Sequence, residues 1–222
     1  MDKLHSIKRA CEINDIIFSE IVSNFGFKTE KDIDIYIKKR FHDFHVKQAY
    51  PPIVANNSSI IHAKPRKKRL EKGFLVLDFA SKVNNYCSDM TRTIFLGRAS
   101  ASDKRLYNLI LSCQEKCIKK VRPGASCSNL DAYARGLIGT YSKFFKHSLG
   151  HGLSHQIHAD PRLKAGSPHI IKKGDCITIE PGIYIRRKHK SLGIRIEDTL
   201  CVSDKPVILS KSPKKLIEIN LK

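Results

Sequence analysis

The chain has 222 residues, with 41 Lys and Arg against 21 Asp and Glu, a formal charge of +20 and a hydrophobic fraction of 41%. This length suits one domain, and no run approaches the roughly 18 apolar residues that span a bilayer. The positive runs at residues 64–69, 186–190 and 211–215 lack interleaved aromatics, so they read as solvated loops and nucleic acid is not expected as a primary partner.

Residues 3–24 place Leu4, Ile7, Ala10, Cys11, Ile13, Ile17 and Ile21 at helical spacing and predict an amphipathic helix ended by Gly26. Asn14 and Asp15 interrupt its apolar run, which argues against a secretory leader. Thr29, followed by acids, opens a second helix with Ile33, Ile35, Ile37, Phe41 and Phe44 on its apolar side. Residues 50–63 read as irregular. Gly73 then opens a strand, GFLVLDFAS, which returns over residues 86–95 through an Asn84-Asn85 turn.

The order then repeats. Helices are expected over residues 103–121 and 129–145, joined at Pro123-Gly124, then an irregular stretch rich in Gly and His. Gly174 opens a strand, GDCITIEPGIYI, and a partner covers residues 193–202. Lys72-Gly73 and Lys173-Gly174 mark equivalent strand starts, which argues for an internal duplication with halves at about 1–100 and 101–222. The expected fold is a single α+β domain over residues 1–222, in which two antiparallel hairpins meet and helices cover one face of the joined sheet. Seven cysteines, scattered singly through apolar segments, read as reduced thiols and predict a soluble, cytoplasmic protein without a membrane partner.

Four acids stand where a solvated charge has no obvious reason to be. Asp78 ends GFLVLDF, Asp89 lies in NYCSDMTRTIF, Glu180 ends CITIEPG and Glu197 lies in LGIRIEDTLCV. Buried acids normally come with cations, and four in one core would repel one another without them. One such acid alone reads best as an edge residue paired with Lys or Arg, but four at matched hairpin positions do not. With His151 they form an oxygen-rich donor set with one imidazole, suited to hard or borderline divalent ions. Two ions held together would generate hydroxide near neutral pH and polarise a carbonyl.

These segments carry a resemblance. LDFASKVNNYCSDMTRT, HSLGHGLSHQIHADP, TIEPGIYI and GIRIEDT are similar to the motifs of the pita-bread metallopeptidases, which include methionine aminopeptidase, aminopeptidase P and prolidase. The resemblance runs from the first helix to near residue 205. It implies a dinuclear site in which Asp89 and Glu197 bridge the ions, Asp78 completes one, and His151 with Glu180 completes the other. Mn²⁺ is the expected metal, with Co²⁺, Fe²⁺ and Zn²⁺ as alternatives. Glu180 would also exchange a proton with the attacking water. His62 falls where the family contacts substrate, and His158 where it stabilises the tetrahedral intermediate. His5, His42, His45, His155, His169 and His189 gain no such support.

His147, Tyr184 and Arg195 fit the aminopeptidase P and prolidase branch and are expected to bind substrate. Removal of an N-terminal residue before proline is therefore the expected activity, with peptides as substrates. Methionine aminopeptidase is the first alternative; a non-catalytic module that binds nucleic acid or the ribosome is the second. The resemblance also leaves room for a homodimer, and no separate N-terminal domain is expected. Ala80, Ser154 and Ala159 depart from the family pattern, replacing two glycines and a glutamate.

Overall fold

The computed structural model describes residues 2–186, 188 and 191–221. Arg187, His189 and Lys190, within the basic run 186–190, lie outside the described residues.

Helix α1 (Lys3–Ser23) begins on Asp2, whose carboxylate accepts from His5 N, and closes at Asn24 before Gly26 is reached. Helix α2 (Glu30–Asp43) begins on a reciprocal capping box between Thr29 and Asp32. Strands β1 (Lys47–Gln48), β2 (Ile53–Asn56), β3 (Gly73–Asp78), β4 (Ser81–Val83), β5 (Tyr86–Cys87) and β6 (Thr91–Leu96) complete the first half. The second half has α3 (Ala101–Lys120) and α4 (Cys127–Ile138), followed by a 3-10 segment (Gly139–Phe144) where a continuous helix was expected. Then come β7 (Gly150–Gly152), β8 (Ala159–Leu163), β9 (Cys176–Ile179), β10 (Gly182–Ile185), β11 (Leu192–Arg195) and β12 (Asp198–Cys201). A tail adds β13 (Val207–Ile208) and β14 (Glu218–Ile219).

Two stretches that read as irregular contain strands. β2 lies within residues 50–63 and pairs antiparallel with β3, Ile53 opposite Asp78. All four of its residues are buried, so it is too short and too uniform to show a period. The Gly- and His-rich segment likewise folds into the β7–β8 hairpin.

Each predicted hairpin is broken at its acids. β3 pairs with β6 from Gly73 opposite Leu96 to Asp78 opposite Thr91, and the hairpin resumes as β4–β5. Asn84 and Asn85 close it with φ of 48° and 65°. Asp89 therefore lies in the interruption rather than opposite Asp78. In the second half, Ile179 faces Asp198 across β9–β12 and Gly182 faces Arg195 across β10–β11. Glu180 and Glu197 sit in the gap between these two ladders.

The first-half sheet runs β14-β6-β3-β2, and the second-half sheet runs β13-β12-β9-β7-β8. Pairing is antiparallel except where the tail strand β14 lies parallel to β6. Helices α1 and α2 cover the first sheet, with Ile17, Ile21, Ile33 and Ile37 packed on Leu75, Leu77 and Ile94. On the second, Ile110, Cys113, Leu130 and Ala134 of α3 and α4 pack on Ile177, Ile179 and Leu200. Burial of each large aliphatic chain contributes about 1.5–3 kcal/mol.

The halves meet where β6 crosses β11 and β12. Thr93 Oγ1 donates to Arg195 O at 2.8 Å, Glu197 N to Thr91 O at 3.1 Å and Asp89 N to Thr199 Oγ1 at 3.1 Å. Arg92, buried in this seam, pairs with Asp198 at 2.7 Å, and Lys214 reaches the same carboxylate at 2.7 Å. Two members of the basic runs are thus tied to buried carboxylates. Lys214 is one, and Arg66, whose Nε donates to the buried Glu30 at 2.9 Å, is the other.

Candidate active site

Asp78, Asp89, His151, Glu180 and Glu197 all line one cavity of about 480 Å³. His151 reaches it from a bulge in β7, where the pairing with β8 shifts register. A β-carbon on Gly150 would fall 2.0 Å from Thr178 O, and one on Gly152 2.0 Å from Asp160 O, so only glycine lets backbone approach backbone there. His151 Nδ1 faces Gly152 O at 3.1 Å, which leaves Nε2 3.3 Å from Glu180 Oε1 and 3.6 Å from Asp89 Oδ2. Such a carbonyl contact fixes which ring nitrogen is available as a ligand.

Glu197 Oε2 accepts from Thr91 Oγ1 at 2.7 Å, whereas Glu197 Oε1 is buried with no hydrogen-bond partner. Arg195 donates from Nε to Thr91 Oγ1 at 3.0 Å, and its terminal nitrogens reach the Asp78 carboxylate and the Tyr184 hydroxyl. The Tyr50 hydroxyl sits between Asp78 and Asp89, 2.6 Å from Asp89 Oδ1. One hydroxyl proton cannot serve two ionised carboxylates at once.

The acids respond as crowded, buried groups do. Burial, then the Asp78 charge, pushes Asp89 up to about 8. Burial, then Asp89, drives Glu197 well above the usual carboxylate range, and burial also raises Asp78 against the pull of Arg195. Glu180 goes the other way. Burial acts to raise it, but the hydrogen bond and charge of His151 bring it down to about 2.

This donor set fits divalent cations. The ligand atoms of Asp89, His151 and Glu197 lie within 4.8 Å of one another, Glu197 Oε1 is buried and unpartnered, and burial with the Asp78 charge pushes Asp89 up to about 8. Oxygen donors with a single imidazole suit hard or borderline ions.

His62, His147, His158 and Arg195 also line the cavity. The His158 ring stands edge-on to His151 at 4.6 Å between centroids, and His147 Nδ1 lies 3.7 Å from Glu180 Oε2. Tyr184 departs from expectation. It is not among the lining residues and is only 5% exposed, wedged between His147 and Arg195, so its hydroxyl contacts Arg195 rather than the cavity.

The sequence did not reveal Tyr50, Lys64 and Arg162 of the lining, the apolar wall of Pro51, Pro52, Ile53 and Ile61, or Thr91, which bonds Glu197 from outside the lining. The Pro pair beside Tyr50 was visible, but nothing in its spacing pointed to a site. The departures from the family motifs are accommodated. Ala80 is fully buried, Ser154 Oγ accepts from Gln156 N at 3.2 Å, and Ala159 opens β8 opposite Gly152.

The model of Metallopeptidase family M24 matches residues 5–204. The chain belongs to that family. This M24 chain is 35% identical over 206 residues to an Xaa-Pro dipeptidase of Pyrococcus horikoshii, which covers 89% of this chain and 57% of that protein. It superimposes on a prolidase from Thermococcus sibiricus with a TM-score of 0.92 at 32% identity, over 98% of this chain and 61% of the other. An X-Pro aminopeptidase from Thermotoga maritima gives 0.91 at 31% identity, over 98% and 63%. The M24 chain thus has the pita-bread fold of these prolidases and spans about six-tenths of the length of the relatives it matches. Among the described residues no helix is long and apolar enough to cross a membrane.

Proposed function

We propose that this chain is a metal-dependent exopeptidase that hydrolyses the bond between an N-terminal residue and proline. The observation that carries the reading is the buried Asp89–His151–Glu197 cluster, with an unpartnered Glu197 Oε1, lining a cavity walled by Pro51, Pro52, Ile53 and Ile61. Relatives named as an Xaa-Pro dipeptidase and an X-Pro aminopeptidase support it.

Asp78, Asp89, His151, Glu180 and Glu197 would hold two divalent ions, Mn²⁺ first among Mn²⁺, Co²⁺, Fe²⁺ and Zn²⁺. When bound, such ions supply the Lewis acidity that makes water acidic near neutral pH and polarises a carbonyl. Glu180, held ionised beside His151, would take a proton from attacking water. The proline nitrogen of an Xaa-Pro bond carries no hydrogen, so it must gain that proton to leave as an amine. His62 and His158 offer ring N–H groups toward the cavity, where negative charge develops on the carbonyl oxygen. Burial, and then the neighbouring His151, holds His158 below its ordinary value, so it acts as a neutral donor at physiological pH. Pro51, Pro52 and Ile61 give the proline ring an apolar surface that asks for no hydrogen bond. Arg195 orients Asp78 directly and Glu197 through Thr91, and Tyr184 braces that guanidinium. The seven cysteines are all unbridged, which supports a cytosolic setting.

The test is a peptide panel of Xaa-Pro, Xaa-Pro-Yaa and Met-Ala, run on chelated protein with each metal restored in turn. Metal-dependent cleavage at Xaa-Pro is expected, and the first two peptides separate dipeptidase from aminopeptidase action. Release from Met-Ala alone, or from none, overturns the proposal.

A further inference from the structure

Outside the ligand cluster, one half-buried ion pair reaches the cavity wall from behind. Asp131, fully buried on α4, accepts from Arg135 Nε at 2.7 Å, one helical turn away. Arg135 then leaves its own helix. Its Nη1 donates to Phe145 O at 2.8 Å and its Nη2 to His147 O at 2.9 Å. The guanidinium lies 4.5 Å from the Phe145 ring centroid, and that ring meets His147 edge-on at 4.9 Å. Asp131 Oδ1 closes the loop by accepting from Leu149 N at 3.1 Å, while Leu149 O accepts from Glu180 N at 2.8 Å.

We propose that Asp131 and Arg135 are positioning residues that hold His147 in the cavity wall beside Glu180. The proposal rests on the peptidase reading of the cavity. Its basis is that every side-chain hydrogen bond of this pair to a described residue outside α4 falls within residues 145–149, with His147 at the centre. His147 lines the cavity with its Nδ1 3.7 Å from Glu180 Oε2, and its Nε2 is buried toward Gly182. An arginine near a helix end ordinarily serves that end's own carbonyls or the solvent. Here a fixed fork of donors spans two carbonyls two residues apart, a geometry that a lysine's single ammonium cannot reproduce.

The experiment compares wild type, R135Q, R135K, D131N, H147Q and the double variant R135Q/H147Q as metal-loaded proteins on an Xaa-Pro peptide. Bound metal is counted, and hydrogen exchange is followed over residues 144–149. R135Q is expected to lower kcat/KM by about 10–100-fold with the metal count unchanged, the usual effect of losing an orienting partner. R135K should recover part of that loss, D131N should resemble R135Q, and exchange at Leu149 should quicken in R135Q. In the H147Q background, R135Q should cost less than about twofold, because residues acting through one another are not additive. A loss in that background as large as in wild type would show a merely structural role and overturn the proposal, as would R135Q within about twofold of wild type. If R135Q does not fold, R135K with and without H147Q makes the same comparison. If wild type cleaves no Xaa-Pro peptide, the peptidase reading fails by itself; exchange over residues 144–149 then decides the clamp, and unchanged exchange in the variant overturns it.

Discussion

The Thr91 hydroxyl donates to Glu197 Oε2 at 2.7 Å while accepting from Arg195 Nε at 3.0 Å. One hydroxyl on β6 thereby occupies one oxygen of a second-half carboxylate and leaves Glu197 Oε1 without a hydrogen bond. Replacing Thr91 with Val keeps the shape and removes both hydrogen bonds. T91V is expected to weaken Mn²⁺ binding by about 10–100-fold, with T91S close to wild type. Titration calorimetry on chelated protein checks it, and equal affinities for T91V and wild type would contradict it.

Without cations, the acids oppose folding as pH rises. Burial and the Asp78 charge raise Asp89 to about 8, and burial and Asp89 raise Glu197 well above the usual carboxylate range. A carboxyl whose folded pKa lies above its unfolded value contributes stability that is complete below about pH 4, the unfolded range, and is lost as pH climbs toward the folded value. Chelated protein should therefore melt at a lower temperature at pH 8 than at pH 5. Saturating Mn²⁺ should cancel or reverse the difference, because a cation favours the ionised carboxylates. A chelated protein that melts higher at pH 8 would count against this.

Asp198 has the opposite sign. Burial acts to raise it, but Arg92 and Lys214 outweigh that and hold it below the ordinary carboxylate range. Its contribution is present above its unfolded pKa of about 3.9 and fades as pH falls through its lower folded value. D198N leaves the buried Arg92 uncompensated and should cost about 3–5 kcal/mol in urea unfolding near neutral pH. A loss below about 1 kcal/mol would mean that Lys214 and Ser212 O suffice to hold the seam.

How much of this was legible beforehand follows from the range of each interaction. Asp78, Asp89, Glu180 and Glu197 stand out in the sequence because each interrupts an apolar run, and the repeated order of elements shows two like halves. The break in the ladder at each acid was not legible, because apolar residues continue on both sides of it. β2 was missed because four buried residues show no period. Tyr50 acts on Asp78 from 28 residues away, and Arg135 reaches His147 O across 12 residues. Neither leaves a periodic trace. Tyr184 was expected at the substrate because a motif gives a residue's position in the chain, not the neighbour that stands in front of it.

The central claim is that Asp78, Asp89, His151, Glu180 and Glu197 hold cations used in peptide hydrolysis. The most direct measurement is metal uptake by chelated wild type and D89N, counted by elemental analysis alongside Xaa-Pro cleavage in the same samples. Two Mn²⁺ per chain together with cleavage in wild type, both lost in D89N, is the predicted result. Wild type that takes up no stoichiometric metal, or D89N that binds and cleaves as wild type does, would contradict it.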